Sequence, residues 1–492
     1  MAMQSAILEK LSSVVGDENV IIEEEILSTY RWGGAVEGGE PLALVRPGST
    51  REVRELIRLA RAEGYNLVFS SSAPPRLRGG SIPRGEGIIV DMSRMDRIVR
   101  LDRRNKVALI EAGVSYEKLI PEVDKLGLKV LMPLLPKRGK SVLASCLERE
   151  PLIIPKYHWD MTDPMLCTEL VFGTGDLFRT GSAAGPGSLE QQWAAGAAQK
   201  NPMGPAQTDF VRVVQGSQGT MAAVTWCSLK LEVKPTIHRI RFAPDHRLER
   251  LMDFTYRALR FRLGDEWLIF NSYALATVIA EDPGRVDELA DEQAPWTVVY
   301  GVSGYQYLPE ERIAYQERDL GRHAQAAGVA MASGVPGCSW KRMETILSGP
   351  SPEPYYKYRP KGDFLDIFFL TTLDRVPGFV SVMEGVAERF GYPTRRIGVY
   401  IQPILQGRNV HLEFTIYFDP EVRPKALELF KEASLALSEA GAFFSRPYGY
   451  WSELAYARCP DTVRVLRGVK DMLDPDHVLN RGKLCFVREG VA

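Results

Sequence analysis

The chain has 492 residues, with 61 Lys and Arg against 62 Asp and Glu and a formal net charge of -1. That balance offers no basic field for nucleic acid, and 45% hydrophobic with 25% charged residues describes a globular chain able to bury a large core. Disorder, collagen and coiled coil are excluded, and the length fits roughly two to four domain-sized units.

Residues 50 to 64 predict a helix: Val53, Leu56, Ile57 and Ala60 recur at helical spacing, Thr50 can cap its start and Gly64 ends it. A buried strand at 66 to 69 follows. The run Ser70-Ser71-Ser72-Ala73-Pro74-Pro75-Arg76-Leu77-Arg78-Gly79-Gly80 then suits an ordered loop, because its prolines and glycines continue neither strand nor helix. Strands at 87 to 91 and 107 to 111 and a helix near 116 to 127 come next, alternating too irregularly for a doubly wound repeat. Residues 166 to 231 read as strand-rich, with a hairpin turn at Gly173-Thr174-Gly175-Asp176 and a Gly/Pro-punctuated excursion from 186 to 205. Lys234-Pro235 marks a boundary. Beyond it, helices at 247 to 263, 309 to 327, 376 to 390 and 420 to 440 mix with strands at 297 to 302, 363 to 371 and 411 to 418. That mixture predicts an α+β domain around an antiparallel sheet.

No run reaches the roughly 18 apolar residues of a membrane span, and the N-terminus lacks the basic, apolar and small-residue segments of a signal peptide. The cysteines, Cys146, Cys167, Cys227, Cys338, Cys459 and Cys485, are widely separated, which argues against zinc, iron–sulfur and disulfide frameworks. The expected compartment is cytoplasmic and reducing, and no metal is expected.

Short chemical motifs fail on their own terms. Gly139-Lys140-Ser141 has Leu134 where a phosphate-binding P-loop needs glycine, and Gly173-x-Gly175 lacks the third glycine of a dinucleotide fingerprint. Gly216-Ser217-Gln218-Gly219 is not the Gly-x-Ser-x-Gly of a hydrolase elbow. His411 and Glu413 share one face of a strand, a cross-strand polar pair or substrate contact before a metal site.

The order of several weak segments is more specific. Leu44-Val45-Arg46-Pro47, the helix after it and the strand before Ser70 are followed by Val90-Asp91-Met92-Ser93-Arg94-Met95, Ile110-Glu111-Ala112-Gly113-Val114-Ser115-Tyr116 and Ser141-Val142-Leu143-Ala144-Ser145. Then come Glu169-Leu170-Val171-Phe172-Gly173-Thr174-Gly175-Asp176, Gly216-Ser217-Gln218-Gly219-Thr220, and Leu473-Asp474-Pro475-Asp476-His477-Val478-Leu479-Asn480 near the C-terminus. This set resembles the vanillyl-alcohol oxidase/p-cresol methylhydroxylase (PCMH-type) superfamily of FAD-binding flavoproteins. The resemblance implies an α+β, two-domain fold: a FAD-binding domain over 1–235, an antiparallel-sheet cap over 236–425, and a C-terminal segment, 426–492, returning to the first domain.

It also implies non-covalent FAD, since residues 70 to 80 contain no histidine for attachment. Ser70, Ser71, Ser72 and Arg76 would meet the pyrophosphate, Ser141 and Ser145 a second wall, Gly216, Gly219 and Thr220 a close backbone approach, Val224 the adenine end, and Asn480 completes the set. The family loop is usually glycine-rich; here Pro74 and Pro75 remove amide donors, and Ala222 stands where glycine is common. The implied activity is hydride transfer from a small organic substrate, an aromatic or benzylic alcohol or a hydroxy acid, to flavin. His158 or Asp160 would be the base near the flavin, and Arg408 and His411 would supply contacts from the cap. The alternative is a degenerate or electron-transferring subunit, with an electron-transfer or iron–sulfur protein, or a second copy of the chain, as partner.

Overall fold

The computed structural model describes residues 2–156, 163–204, 209–360 and 362–487. The helix Thr50–Glu63 forms as its periodicity predicts, burying Val53, Leu56, Ile57 and Ala60 and ending at Gly64 in the left-handed region. Its cap is Ser49 rather than Thr50: the Ser49 hydroxyl accepts from the Glu52 amide at 3.2 Å, and Glu52 returns to the Gly48 amide at 2.8 Å. Thr50 instead donates to Glu169 Oε1 at 2.8 Å.

This helix leads into a small sheet in which Pro41–Val45, Gly87–Asp91 and Leu67–Ser70 run parallel, with Val20–Ile21 at the edge. The loop from Ser70 to Gly80 leaves the carboxyl end of these strands. The C-terminal tail extends the same sheet: Leu67 donates to Val478 O and Asn480 to Leu67 O, both at 2.8 Å. A second sheet is antiparallel, ordered Leu177–Arg179, Met165–Phe172, Ala222–Val233, Val107–Glu111 and Ile98–Asp102, with Leu128–Val130 beside Ala222–Val233. One apolar core joins both sheets to the tail through Leu473, Val478, Leu479 and Phe486.

The cap is a six-stranded antiparallel sheet, ordered Ile237–Asp245, Trp296–Gly304, Trp267–Asn271, Ile397–Ile404, Asn409–Phe418 and Asp363–Thr371. The strand Asn409–Phe418 alternates: Leu412, Phe414 and Ile416 join the core beneath the long helices, whereas His411, Glu413 and Thr415 occupy the opposite face. That opposite face carries a further core which includes Leu131, Leu134 and Leu152 of the first half, so the two halves share buried surface. The cap reaches past residue 425. The helix Arg423–Glu439 packs Leu429, Phe430, Ala433 and Leu437 into the cap core, as does Trp451. The later helix Pro460–Leu473 sends Leu473 into the core of the first half.

Candidate active site

A groove of about 1580 Å³, open solvent at its mouth included, runs from the carboxyl ends of the parallel strands to the polar face of the cap sheet. One end is bordered by Ser70, Ser71, Ser72, Arg76 and Met92, the side by Gly216, Gly219 and Val224, and the far end by His411 and Glu413. The structure thus gathers most of the expected cofactor positions on one surface.

The others stand behind it. Ser141 caps the helix Val142–Leu147, accepting from the Ala144 amide and donating to Ala112 O at 2.6 Å. Ser145 donates to Glu150 Oε2 at 2.6 Å and accepts from the Tyr116 hydroxyl at 3.0 Å. With both hydroxyls engaged, it is Leu143, Ala144 and Leu147 of this helix that border the groove. Thr220 is fully buried and donates to Ser217 O. Asn480 clamps three segments, donating to Gly80 O at 2.7 Å and Gln218 O at 2.5 Å, and its Oδ1 is buried without a donor. Arg408 is exposed in the turn joining Ile397–Ile404 to Asn409–Phe418, outside the groove. His158 and Asp160 lie outside the described residues.

The cap floor holds an ion cluster that only cross-strand register assembles. Asp366 lies opposite Thr415, Phe368 opposite Glu413, and Gln402 opposite His411. Lys357 Nζ lies 2.7 Å from Asp366 Oδ1 and 2.6 Å from Glu413 Oε1. All three are buried or nearly so. Burial raises the Glu413 carboxyl, but Lys357, His411 and Arg78 together outweigh it and hold the group well below the carboxylate range. Asp366 is pushed up, chiefly by burial, with Lys357 opposing and Glu413 adding repulsion. Its Oδ1 accepts from Lys357 and Thr415.

His411 Nδ1 lies 3.2 Å from Arg446 Nη2 and Nε2 lies 3.4 Å from Glu413 Oε2. A guanidinium only donates, so Nδ1 is the acceptor and Nε2 carries the proton. Burial lowers the ring to about 4 and Arg446 adds to that shift, although Glu413 opposes it. His411 is therefore a neutral ring whose lone pair is occupied, suited to a polar contact and not to a base. Arg446 and Arg78 both lie over the Phe368 ring, at 4.3 and 4.2 Å. Arg78 continues the cluster to Glu150 at 3.6 Å, and Lys140 meets Glu148 at 2.6 Å. Burial raises Glu150, yet Lys140 and then Arg78 hold it at about 2. Tyr355, Tyr356, Tyr400 and Tyr448 complete the wall.

Sequence reasoning missed Lys357, Asp366 and Glu150. A signal existed for Asp366, the one acid within the apolar strand segment Phe364-Leu365-Asp366-Ile367-Phe368-Phe369.

The residues present fit a flavin dinucleotide. Gly219 has a positive φ and no atom within 4 Å of an added Cβ, so backbone reaches the groove unshielded. Arg76 Nε is buried without an acceptor beside the loop. Residues 41–140 match the family described as FAD binding domain. A FAD-linked oxidoreductase of Mycobacterium tuberculosis is 22% identical over 497 residues, covering 97% of this chain and 98% of that one. D-lactate dehydrogenase of Anaerostipes hadrus is 21% identical over 494 residues, covering 97% of each. The crystal structure of p-cresol methylhydroxylase with substrate bound superposes with a TM-score of 0.83 at 16% identity, covering 99% of this chain and 98% of that one. The chain thus shares the fold of p-cresol methylhydroxylase and carries a FAD binding domain over residues 41–140.

Proposed function

We propose that the protein oxidises a small aromatic or benzylic alcohol with non-covalently held FAD. The observation that carries this reading is the floor of the groove, where Tyr355, Tyr356, Tyr400 and Tyr448 offer aromatic faces. FAD supplies the hydride acceptor when bound. Asp366 is the carboxyl suited to take the alcohol proton, at Oδ2, because burial raises its basicity and Lys357 fixes its orientation through Oδ1. Burial, followed by the field of Glu148, raises the Tyr448 phenol and keeps it a neutral donor. His411, held by Arg446 and Glu413, fixes the adjoining wall. Ser70, Ser71, Ser72, Arg76, Gly216, Gly219 and Val224 hold the cofactor along the groove, and the loop's lack of histidine supports the non-covalent reading. Free cysteines suit a cytoplasmic chain, and among the described residues no helix is long and apolar enough to cross a membrane.

The test is anaerobic titration of the purified yellow protein with benzylic alcohols and with 2-hydroxy acids, after acid precipitation has established where the flavin goes. Bleaching by an aromatic alcohol, slowed strongly in Asp366→Asn, is expected, with colour released to the supernatant. The resemblance to D-lactate dehydrogenase favours a second reading, hydroxy-acid oxidation, which bleaching by hydroxy acids alone would establish. A flavin that neither class reduces would point to the electron-transfer subunit.

A further inference from the structure

Four cations border the groove near the Ser70–Gly80 loop: Arg76, Arg78, Lys137 and Lys140. Arg78 and Lys140 are paired with Glu148 and Glu150. Arg76 and Lys137 have no carboxylate at ion-pair distance among the described residues. Lys137 is 7% exposed, and its Nζ donates to Ala73 O at 2.8 Å and Pro75 O at 2.5 Å. An ammonium has three protons, so one is left for the groove. The Arg76 guanidinium lies 4.2 Å over the Tyr30 ring, and its Nη1 donates to Ser72 O.

An uncompensated cation in a buried setting is costly unless an anion completes it. Burial, then Lys140 and Arg76, bring Lys137 down to about 7, against weaker opposition from Glu148 and Glu353. That is the behaviour of an ammonium crowded by cations and short of an anion. Arg76 is on the loop that leaves the carboxyl end of the parallel strands, where ligands of such sheets gather, and Lys137 is tied to that loop. Pro74 and Pro75 interrupt the run of amides that this loop could turn toward an anion.

We infer that Lys137 and Arg76 bind the diphosphate of FAD through side-chain charge, which makes up for the amide donors that the two prolines remove. This rests on the FAD reading above. The experiment measures FAD and riboflavin affinity by fluorescence quenching, at low and high salt, on the full chain stripped of flavin. Wild type, Lys137→Met, Lys137→Arg and Arg76→Met are compared, with circular dichroism to verify folding. Lys137→Met is expected to weaken FAD by about 10- to 100-fold, the value of charge-assisted hydrogen bonds, and to flatten the salt dependence. Riboflavin, which has no phosphate, should bind as before, Lys137→Arg should retain most of the FAD affinity, and Arg76→Met should repeat the pattern if Lys137→Met fails to fold. Equal losses for FAD and riboflavin would mean that the side chains only brace the loop and would overturn the inference. So would FAD affinity that neither Lys137→Met nor Arg76→Met changes. Failure of wild type to bind FAD would remove the cofactor reading and this inference together, whereas binding that the variants leave intact removes this one alone.

Discussion

The two ends of the groove treat charge in opposite ways. At the cap floor Lys357 lies between Asp366 and Glu413, a cation with both counter-ions within the protein, while the buried Arg446 beside it meets only the His411 ring and the Phe368 face. At the loop, Arg76 and Lys137 have carbonyls and an aromatic face instead. A self-neutralised cluster is complete before anything binds and serves to hold geometry; unmatched cations are completed by an anionic ligand. The sharpest way to break this contrast is to remove one charge from each end. Lys357→Met strands two buried carboxylates and should cost about 3–5 kcal/mol in denaturant unfolding. Adding Glu413→Gln and Asp366→Asn should recover much of that loss. Lys137→Met, which removes a cation that lacks a counter-ion, should change flavin-free stability by no more than about 1 kcal/mol. Equal costs at the two ends would erase the distinction.

Acid probes the floor group by group. The His411 ring titrates at about 4 in the folded protein against its ordinary 6.5, so as pH falls between those values the unfolded chain gains a proton that the folded chain refuses. Stability falls across that window by about 3 kcal/mol and this contribution changes no further below it. Glu150 works in the next window. Held at about 2 against an ordinary 4.5, it contributes stability that is present above 4.5 and is lost as pH drops toward 2. Denaturant unfolding over a pH series should therefore show His411→Gln flattening the upper limb and Glu150→Gln the lower one. Identical profiles for wild type and both variants would count against the assigned proton positions.

Backbone conformation offers a smaller and more local contrast within the groove wall. Gly216 and Gly219 both have positive φ, at 73° and 72°, and alanine at either pays left-handed strain of roughly 1–2 kcal/mol. An added Cβ at Gly216 would stand 2.3 Å from Arg149 Nη2, whose side chain is engaged with Ser445 O; at Gly219 it would meet nothing within 4 Å. Gly216→Ala should therefore lower the unfolding midpoint more. Gly219→Ala, with its methyl group directed into open space, should show its main effect in flavin affinity.

The legible parts of the molecule were those encoded over short distances. The spacing of Val53, Leu56, Ile57 and Ala60 named its helix, and the tail motif around Asn480 named the segment that closes the parallel sheet. The position of the Ser70–Gly80 loop followed from its own prolines and glycines. What sequence left hidden depends on partners far along the chain. Lys357 meets Glu413 only because Asp363–Thr371 pairs with Asn409–Phe418 in one register. Ser141 and Ser145 looked like groove hydroxyls, but capping and the Glu150 contact claim them, and a sequence does not say which way a hydroxyl turns. The sheet covered by the helix Arg423–Glu439 was hidden for a related reason: the helix is amphipathic, and amphipathicity names a buried face without naming the sheet it covers.

Arg408 gives the smallest expected effect and isolates the role of the turn. Leu405, Gln406 and Gly407 all have positive φ, so the chain reverses tightly before Arg408 and leaves that side chain exposed. His411, three residues later, is already inside the strand with its ring buried against Arg446 and Glu413. Proximity in sequence to a groove residue thus confers no proximity to the groove. Arg408→Ala should change unfolding free energy by less than about 0.5 kcal/mol, as at other exposed positions, and should leave anaerobic flavin reduction unaltered. Arg446→Met, although no nearer in sequence to the loop, removes the donor that fixes the His411 tautomer. It should release the ring toward the Glu413 side and move the upper acid limb toward neutral pH. If Arg408→Ala slowed flavin reduction while Arg446→Met did not, the floor would have to be rebuilt around the turn and not around the ion cluster.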